Sequence, residues 1–395
     1  MQPPDPRTGS LEVFAVCLPG VEHLLASELR AAGIAAAPEV LAGGVAFAGG
    51  WSEVYRANLE SGLASHVLVR IAEFGARSLA DLDQRGARVP WRDWLPHGTA
   101  FEVRAHCRRS RIYHSGAAEQ RIHAHLAAQL GTASAAEPVR VRVRIHDNRC
   151  RISLDTTGTA LHRRGWRLEP GRAPLREDLA HALLLVSGWD RRSTLIDPFV
   201  GSGTILIEAA ALARNLPPGR GRGFAFEQFT SHDAALWTRV RESANARERA
   251  GLEFRILGRD RDAGAIAAAR ANAMRAGVAA DLDLAVARLS ELDPTGWSGR
   301  GAVVTNPPYG LRLGSAARLP TLYRSLGRIL AARPVGWDVT LAAADRRLAL
   351  RTGLELTSAL LVDSGGTKIR ALTTHAAGDS DRPPAPAPHP RDGND

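Results

Sequence analysis

Residues 305–310 read Thr-Asn-Pro-Pro-Tyr-Gly. Pro307 and Pro308 lack N–H groups and have fixed φ angles, so this turn is stiff. The side-chain oxygen of Asn306 and the carbonyl of Pro307 can accept both hydrogens of an –NH2 group. Tyr309 offers a face on which the ring bearing that group can stack. Asn306, Pro307 and Tyr309 are therefore the candidate catalytic residues. The apolar stretch before them, Ala302-Val303-Val304, is expected to be a buried strand. A rigid polar turn at a strand's end is where open α/β sheets hold their ligands.

Upstream, residues 194–204 read Thr-Leu-Ile-Asp-Pro-Phe-Val-Gly-Ser-Gly-Thr. The run predicts a strand over 195–197, a glycine-rich turn, and a helix over 205–214. Gly201 and Gly203 would let backbone approach a ligand closely, and the helix N-terminus favours an anionic group. This run, followed at a distance by Asn-Pro-Pro-Tyr, resembles the cofactor and amino-group motifs of S-adenosylmethionine-dependent N-methyltransferases.

The elements that must position these motifs follow from periodicity. From about residue 171, strands are expected at 194–197, 254–258, 282–287, 302–305, 337–343, 354–362 and 367–374, with helices between most of them. That is a doubly wound α/β sheet, closing on an antiparallel pair that turns at Ser364-Gly365-Gly366. The first part of the chain mixes strands (11–18, 45–47, 100–106, 139–145, 151–154) with helices (20–31, 53–59, 116–130), a small α+β domain. The Pro/Asp/Gly-rich ends, 1–10 and 377–395, are expected to be disordered.

Composition narrows the partners. The chain has 395 residues, 45% apolar content and a net charge of +10. Between Ala100 and Arg167, 13 arginines face five acidic residues, which leaves little net charge elsewhere and points to a nucleic-acid footprint. No apolar run reaches membrane-spanning length and no signal peptide is visible. Cys17, Cys107 and Cys150 lack metal spacing, as do His123 and His125, so no metal is expected and a reduced, cytoplasmic setting is. Lys368 is the only lysine and sits in no phosphate-binding loop, and Val200 replaces the first glycine of a Gly-x-Ser-x-Gly elbow.

The chain as a whole resembles the THUMP-domain RNA guanine-N2 methyltransferases of bacteria and archaea. The resemblance is carried by Val13–Gly33, by 101–114 with Arg108-Arg109-Ser110-Arg111 and His114, and by Asp155-Thr156-Thr157-Gly158 through His162-Arg163-Arg164-Gly165-Trp166-Arg167. It continues through 173–180, Pro217-Pro218-Gly219, Phe224-Ala225-Phe226-Glu227, and Asn306–Gly310 with Arg312 and Gly314. It implies a ferredoxin-like plus THUMP RNA-binding region over 11–168. A Rossmann-like seven-stranded class I methyltransferase domain would follow over 169–376, and a single such domain is expected.

The resemblance further implies S-adenosylmethionine as cofactor. Asp197, Phe199, Gly201, Ser202, Gly203 and Thr204 would hold its methionine end, with Thr204 also capping the helix. Asp260, beside Arg261, would grip the ribose, and Asp262 would cap the next helix. Arg288 stands where related enzymes usually carry a polar, often acidic, adenine ligand, so Ser290 or backbone groups are expected to serve. Arg108, Arg109, Arg111, Arg140, Arg142, Arg144 and Arg312 are candidate RNA contacts. The expected substrate is structured RNA, 23S ribosomal RNA ahead of transfer RNA. A DNA adenine-N6 enzyme, a protein glutamine-N5 enzyme and a non-catalytic assembly factor remain as alternatives.

Overall fold

The computed structural model describes residues 9–131, 137–168, 175–309 and 318–375. Two seven-stranded sheets organise them. The first is built from β1 (Leu11–Val16), β2 (Glu39–Leu41), β3 (Gly44–Gly49), β4 (His66–Gly75), β5 (Phe101–Arg108), β6 (Val139–His146) and β7 (Arg149–Asp155), in the order β2-β3-β1-β4-β7-β6-β5. Its helices are α1 (Glu22–Ala31), α2 (Trp51–Glu60), α3 (Leu79–Gly86), α4 (Trp91–Trp94) and α5 (Ser115–Leu130). β4 has no counterpart among the expected strands, yet it is the central strand, pairing antiparallel with β1 on one side and β7 on the other. Val67, Val69 and Ile71 alternate into the core while His66 and Arg70 stay on the other face, the period-two pattern of a half-buried strand.

The second sheet contains β8 (Thr194–Asp197), β9 (Ile256–Asp260), β10 (Leu282–Val286), β11 (Gly301–Thr305), β12 (Trp337–Ala343), β13 (Thr357–Ser364) and β14 (Thr367–Thr373). Its order is β10-β9-β8-β11-β12-β14-β13. All seven strands were expected; β9 and β13 start two to three residues later than the apolar pattern suggests. β10 through β12 are parallel, and β14 runs antiparallel between β12 and β13. The helices are α6 (Glu177–Val186), α7 (Thr204–Ala213), α8 (Ala234–Asn245), α9 (Ala263–Arg275), α10 (Leu319–Ala331) and α11 (Arg346–Leu350). This is the seven-stranded sheet that the resemblance implies. Strand order reverses between β8 and β11, so the crevice beyond their carboxyl ends is the switch point where such sheets bind ligands. The expected disordered ends lie outside the described residues, save for Gly9 and Ser10. Among the described residues no helix is long and apolar enough to cross a membrane.

The two sheets share one apolar core and a buried polar seam. Tyr55 of α2 packs on Phe226 with ring centroids 4.4 Å apart and edge-on to Trp237 of α8. Asn58 clamps the segment after β7, donating to Thr156 Oγ1 at 2.9 Å and accepting from the Thr157 hydroxyl at 2.6 Å. Deeper in, His181 of α6 lies 3.2 Å from Glu28 of α1 and 3.4 Å from Glu208 of α7. Arg164 joins Glu208 at 3.4 Å and donates to the carbonyls of Leu161 and Gly62. Arg164 and its neighbours hold the Glu208 carboxyl down to about 2, and the two carboxylates raise the His181 imidazole despite its burial. Gly62 is obligatory here, because a Cβ on it would lie 2.3 Å from the His181 ring.

A histidine whose folded pKa exceeds its unfolded value contributes stability that is complete below the unfolded pKa and is lost as pH rises through the folded one. The stability gap between the parent and His181→Gln, read by thermal denaturation, is therefore expected to be widest below the ordinary imidazole value and to narrow as pH rises above it. A gap independent of pH would show that the imidazole is not charged in the fold.

Candidate functional site

The site is assembled where β8 and β11 end side by side. Asp197 closes β8 and is 1% exposed. Its Oδ1 accepts from the Phe199 N–H at 2.9 Å and from the Thr305 hydroxyl at 2.5 Å. Thr305, the last residue of β11, thereby ties the glycine-rich turn to the Asn-Pro-Pro-Tyr turn. The sequence reading assigned it no role, although it adjoins Asn306. Burial pushes the Asp197 carboxyl up to about 7, opposed by its two donors and reinforced by the nearby Asp260 charge.

The glycine-rich turn is braced from three sides. Gly201, at φ +54°, donates its N–H to Asp260 Oδ2 at 3.0 Å and has open space where a Cβ would stand. The other Asp260 oxygen accepts from the Asp262 N–H at 3.0 Å, so Asp260 links the loops after β8 and β9. Ser202 is buried, and its carbonyl accepts from Asn272 of α9 at 3.0 Å. Asn272 is another supporting residue that went unassigned; a lone amide on the alanine-rich helix α9 is the signal that marks it.

Gly203 is constrained by packing as well. Its φ is +87°, and a Cβ would come 3.1 Å from the Ala269 Cβ on α9. Gly203→Ala should lower stability by about 1–3 kcal/mol through the combined strain and crowding, measurable by denaturant unfolding. An unchanged midpoint would show that α9 yields freely. Thr204 does not cap α7. Gly203 occupies the N-cap, because the left-handed conformation needed there suits glycine, and the Thr204 hydroxyl instead accepts from Arg167 at 3.2 Å. Asp262 caps α9 as expected, accepting from Gly264 at 2.8 Å.

A cleft of about 200 Å³ lies against the ends of β8 and β9 and the segment after β10. Pro198, Arg259, Ala287 and Arg288 line it, together with Glu291 and Asp293. Ser290 is exposed and does not line it, so carboxylates absent from the strand end are supplied a few residues later. Asp293 already accepts from Thr295, while Arg261 is exposed on the loop after β9. Phe199 is half-buried against the cluster of Ile196 and Val303.

At the second turn, Pro307 is buried and Tyr309 half-buried, which raises the Tyr309 phenol. Asn306 Oδ1 is buried and finds no hydrogen-bond partner among the described residues. An acceptor removed from water without a donor costs about 1–3 kcal/mol, so such an atom marks a place where an outside donor is accommodated.

The predicted RNA contacts divide. Arg108 and Arg144 are exposed, and Arg109 is exposed at φ +50° with a long 3.7 Å approach to Asp147. Arg111 sits on a turn whose backbone N–H donates to Asn148 Oδ1 at 2.9 Å. Arg140 is engaged internally, by the Gly158 carbonyl at 2.6 Å and Glu102 at 3.4 Å, and Arg142 pairs with Asp155 at 3.5 Å. Arg312 lies outside the described residues.

Comparison with known proteins bears on the family and the fold. The RMKL-like methyltransferase domain model matches residues 164–360, and the RlmL ferredoxin-like domain model matches residues 12–68. A candidate RNA methyltransferase of Synechocystis, slr0064, is 32% identical over 368 residues, covering 91% of this chain and 95% of the relative. The chain belongs to the RMKL-like methyltransferase family. The ribosomal RNA large subunit methyltransferase K/L of Syntrophotalea carbinolica is 37% identical over 379 residues, covering 92% of this chain and 53% of the relative. The chain thus spans about half the length of the K/L relatives it matches. Among solved structures, SMU.472, described as a methyltransferase candidate complexed with SAH, superposes with a TM-score of 0.84 at 27% identity, covering 92% of this chain and 97% of that one.

Proposed function

We propose that this chain is an S-adenosylmethionine-dependent RNA methyltransferase that forms N2-methylguanosine, with large-subunit ribosomal RNA as its substrate. The observation that carries the reading is the buried Asn306 Oδ1 at the switch point, which has no partner among the described residues and stands beside the Pro307 carbonyl. Support comes from membership of the family, from the K/L relatives named for ribosomal RNA, and from the SAH complex of a structural relative.

The residues fit the cofactor. Gly201 leaves open space at the turn, Asp197 offers a buried carboxylate suited to an ammonium, and Asp260 reaches the loop where ribose hydroxyls are expected. Glu291, in the neighbouring cleft, is the acidic side chain we assign to the adenine amino group. When bound, S-adenosylmethionine supplies an electrophilic sulfonium methyl.

The protein's own work is on the acceptor. The lone pair of guanine N2 is delocalised into the ring. Accepting its two hydrogens at Asn306 and Pro307 favours a tetrahedral nitrogen with a localised pair, and the stiff double proline holds both acceptors in place for in-line attack. Tyr309 stacks on the base once it leaves its helix. Residues 11–168 act as a ferredoxin-like plus THUMP RNA-binding region and 169–376 as the catalytic domain, with Arg108, Arg109, Arg111 and Arg144 as backbone contacts. Nucleoside mass spectrometry of ribosomal and transfer RNA from a deletion strain and its parent tests the reading. Loss of N2-methylguanosine from large-subunit RNA is expected; loss from transfer RNA alone overturns the substrate, and no change in either pool overturns the reaction.

A further inference from the structure

The solvent face of the first sheet carries a lattice of basic side chains in which Arg108 and Arg144, already candidate RNA contacts, are joined by Arg149, Arg151, His106 and His146, to which the resemblance gives no role. β6 buries Val139, Val141, Val143 and Ile145 against the helices, which leaves Arg142, Arg144 and His146 on the opposite face. The register sets Arg144 directly across from Arg151 of β7, and His146 across from Arg149. On the other side, His106 and Arg108 of β5 lie beside Arg144 and His146. Directly opposed like charges destabilise a strand pair, so this arrangement runs against the fold's own interest.

Neutralisation within the lattice is incomplete. Glu73 of β4 serves Arg149 at 2.5 Å, Arg151 at 3.0 Å and Arg70 at 3.0 Å, and of these three only Arg70 has a second carboxylate among the described residues, Glu12. Asp147 serves His146 at 3.1 Å. The Arg144 side chain is exposed and makes no hydrogen bond or ion pair with any described residue. Arg144, His146, Asp147, Arg149 and Arg151 line an open surface pocket of about 230 Å³. Arg149 keeps 65% and Arg151 43% of its side chain exposed, so both guanidiniums retain donors for a further acceptor.

We propose that this pocket is a phosphate site for the RNA backbone, with Arg144, Arg149 and Arg151 as its donors and the β5–β6–β7 face as the docking surface. The inference rests on the RNA reading above and adds a surface to it. Basic side chains two apart along one strand repeat at about 6.6 Å, a spacing comparable with that of successive phosphodiesters, and neighbouring strands offer parallel rows. An open face with repeated sites suits a polyanion rather than one small anion. Such contacts position the RNA without reading its sequence. The like-charge pair is then a cost to the free protein that bound phosphate relieves.

The test measures binding of a fluorescein-labelled RNA hairpin by anisotropy, across a salt series of about 50–200 mM. Arg144→Gln/Arg149→Gln leaves Glu73 with Arg151 and Arg70. It should flatten the slope of log affinity against log salt by about 1–2. Arg144→Gln alone should melt no lower than the parent, since it removes a repulsion, yet bind RNA more weakly, and Arg144→Lys should restore much of the slope. S-adenosylhomocysteine binding should not change in any of them. A parent that binds RNA with a slope the double variant leaves intact overturns this site alone. Equal losses on polyglutamate and RNA assign the face to acidic proteins and overturn it too. A parent that shows no salt-dependent RNA binding overturns both this site and the RNA reading beneath it.

Discussion

Asn306→Ala is expected to slow methyl transfer by at least about a hundredfold to a thousandfold, the range seen when one preorganised polar contact to the reacting group is lost. Affinities for RNA and for S-adenosylhomocysteine should stay close to those of the parent. The split follows from where Asn306 acts. Its Oδ1 is buried and bonds to no described residue, so among the described residues its removal breaks no hydrogen bond of the fold made by that oxygen. Thr305, the neighbour that does brace the site, keeps its bond to Asp197 in the variant. On the proposed mechanism the contact with guanine N2 strengthens as the nitrogen becomes tetrahedral, so its loss falls on the chemical step more than on ground-state binding. Single-turnover transfer of labelled methyl groups, with RNA and protein both saturating, separates the two effects. A variant that transfers at the parental rate would remove Asn306 from the mechanism. One that loses RNA affinity in proportion to rate would make it a binding residue.

Much of this site could be read from the chain because its parts are local. A buried strand, a double proline and an aromatic fall in consecutive residues, and so do the strand and glycines of the other turn. The seven strands of the second sheet could be placed from apolar-patterned runs of four to nine residues. What escaped was tertiary. β4 alternates plainly, yet its importance as the strand that joins β1 to β7 is a property of pairing, not of its own residues. Gly203 looks like a ligand-approach glycine, and only the position of Ala269 shows that it makes room for α9. Arg140 looks like a solvent-facing cation until the Gly158 carbonyl and Glu102 are seen around it. The Glu28–His181–Glu208–Arg164 seam gathers residues from four separate segments, and no spacing rule could have joined them.

Cofactor affinity is expected to rise with pH through about 7, and Asp197→Asn should abolish that rise. The carboxyl of Asp197 is held up to about 7 in the unliganded fold, chiefly by burial. A cationic amino group placed against it favours the ionised form, so the ligand must displace a proton wherever the carboxyl is still protonated. Between about pH 8 and pH 6 that proton should weaken S-adenosylhomocysteine binding by about tenfold. Stability moves the other way. The folded pKa lies above the ordinary value of 3.8, so the contribution of Asp197 to stability is complete below that value and is lost as pH rises through about 7. Asparagine carries no such charge. The variant should therefore melt above the parent at about pH 8 and converge with it near pH 4, while binding S-adenosylhomocysteine more weakly and without pH dependence at alkaline pH. Calorimetric titration and thermal unfolding across the same buffers read both slopes. Parental binding that stays flat between those pH values would mean that Asp197 is already ionised in the fold or never meets the amino group. Its role would then shrink to accepting from Phe199 and Thr305, two bonds that an asparagine Oδ1 could also receive.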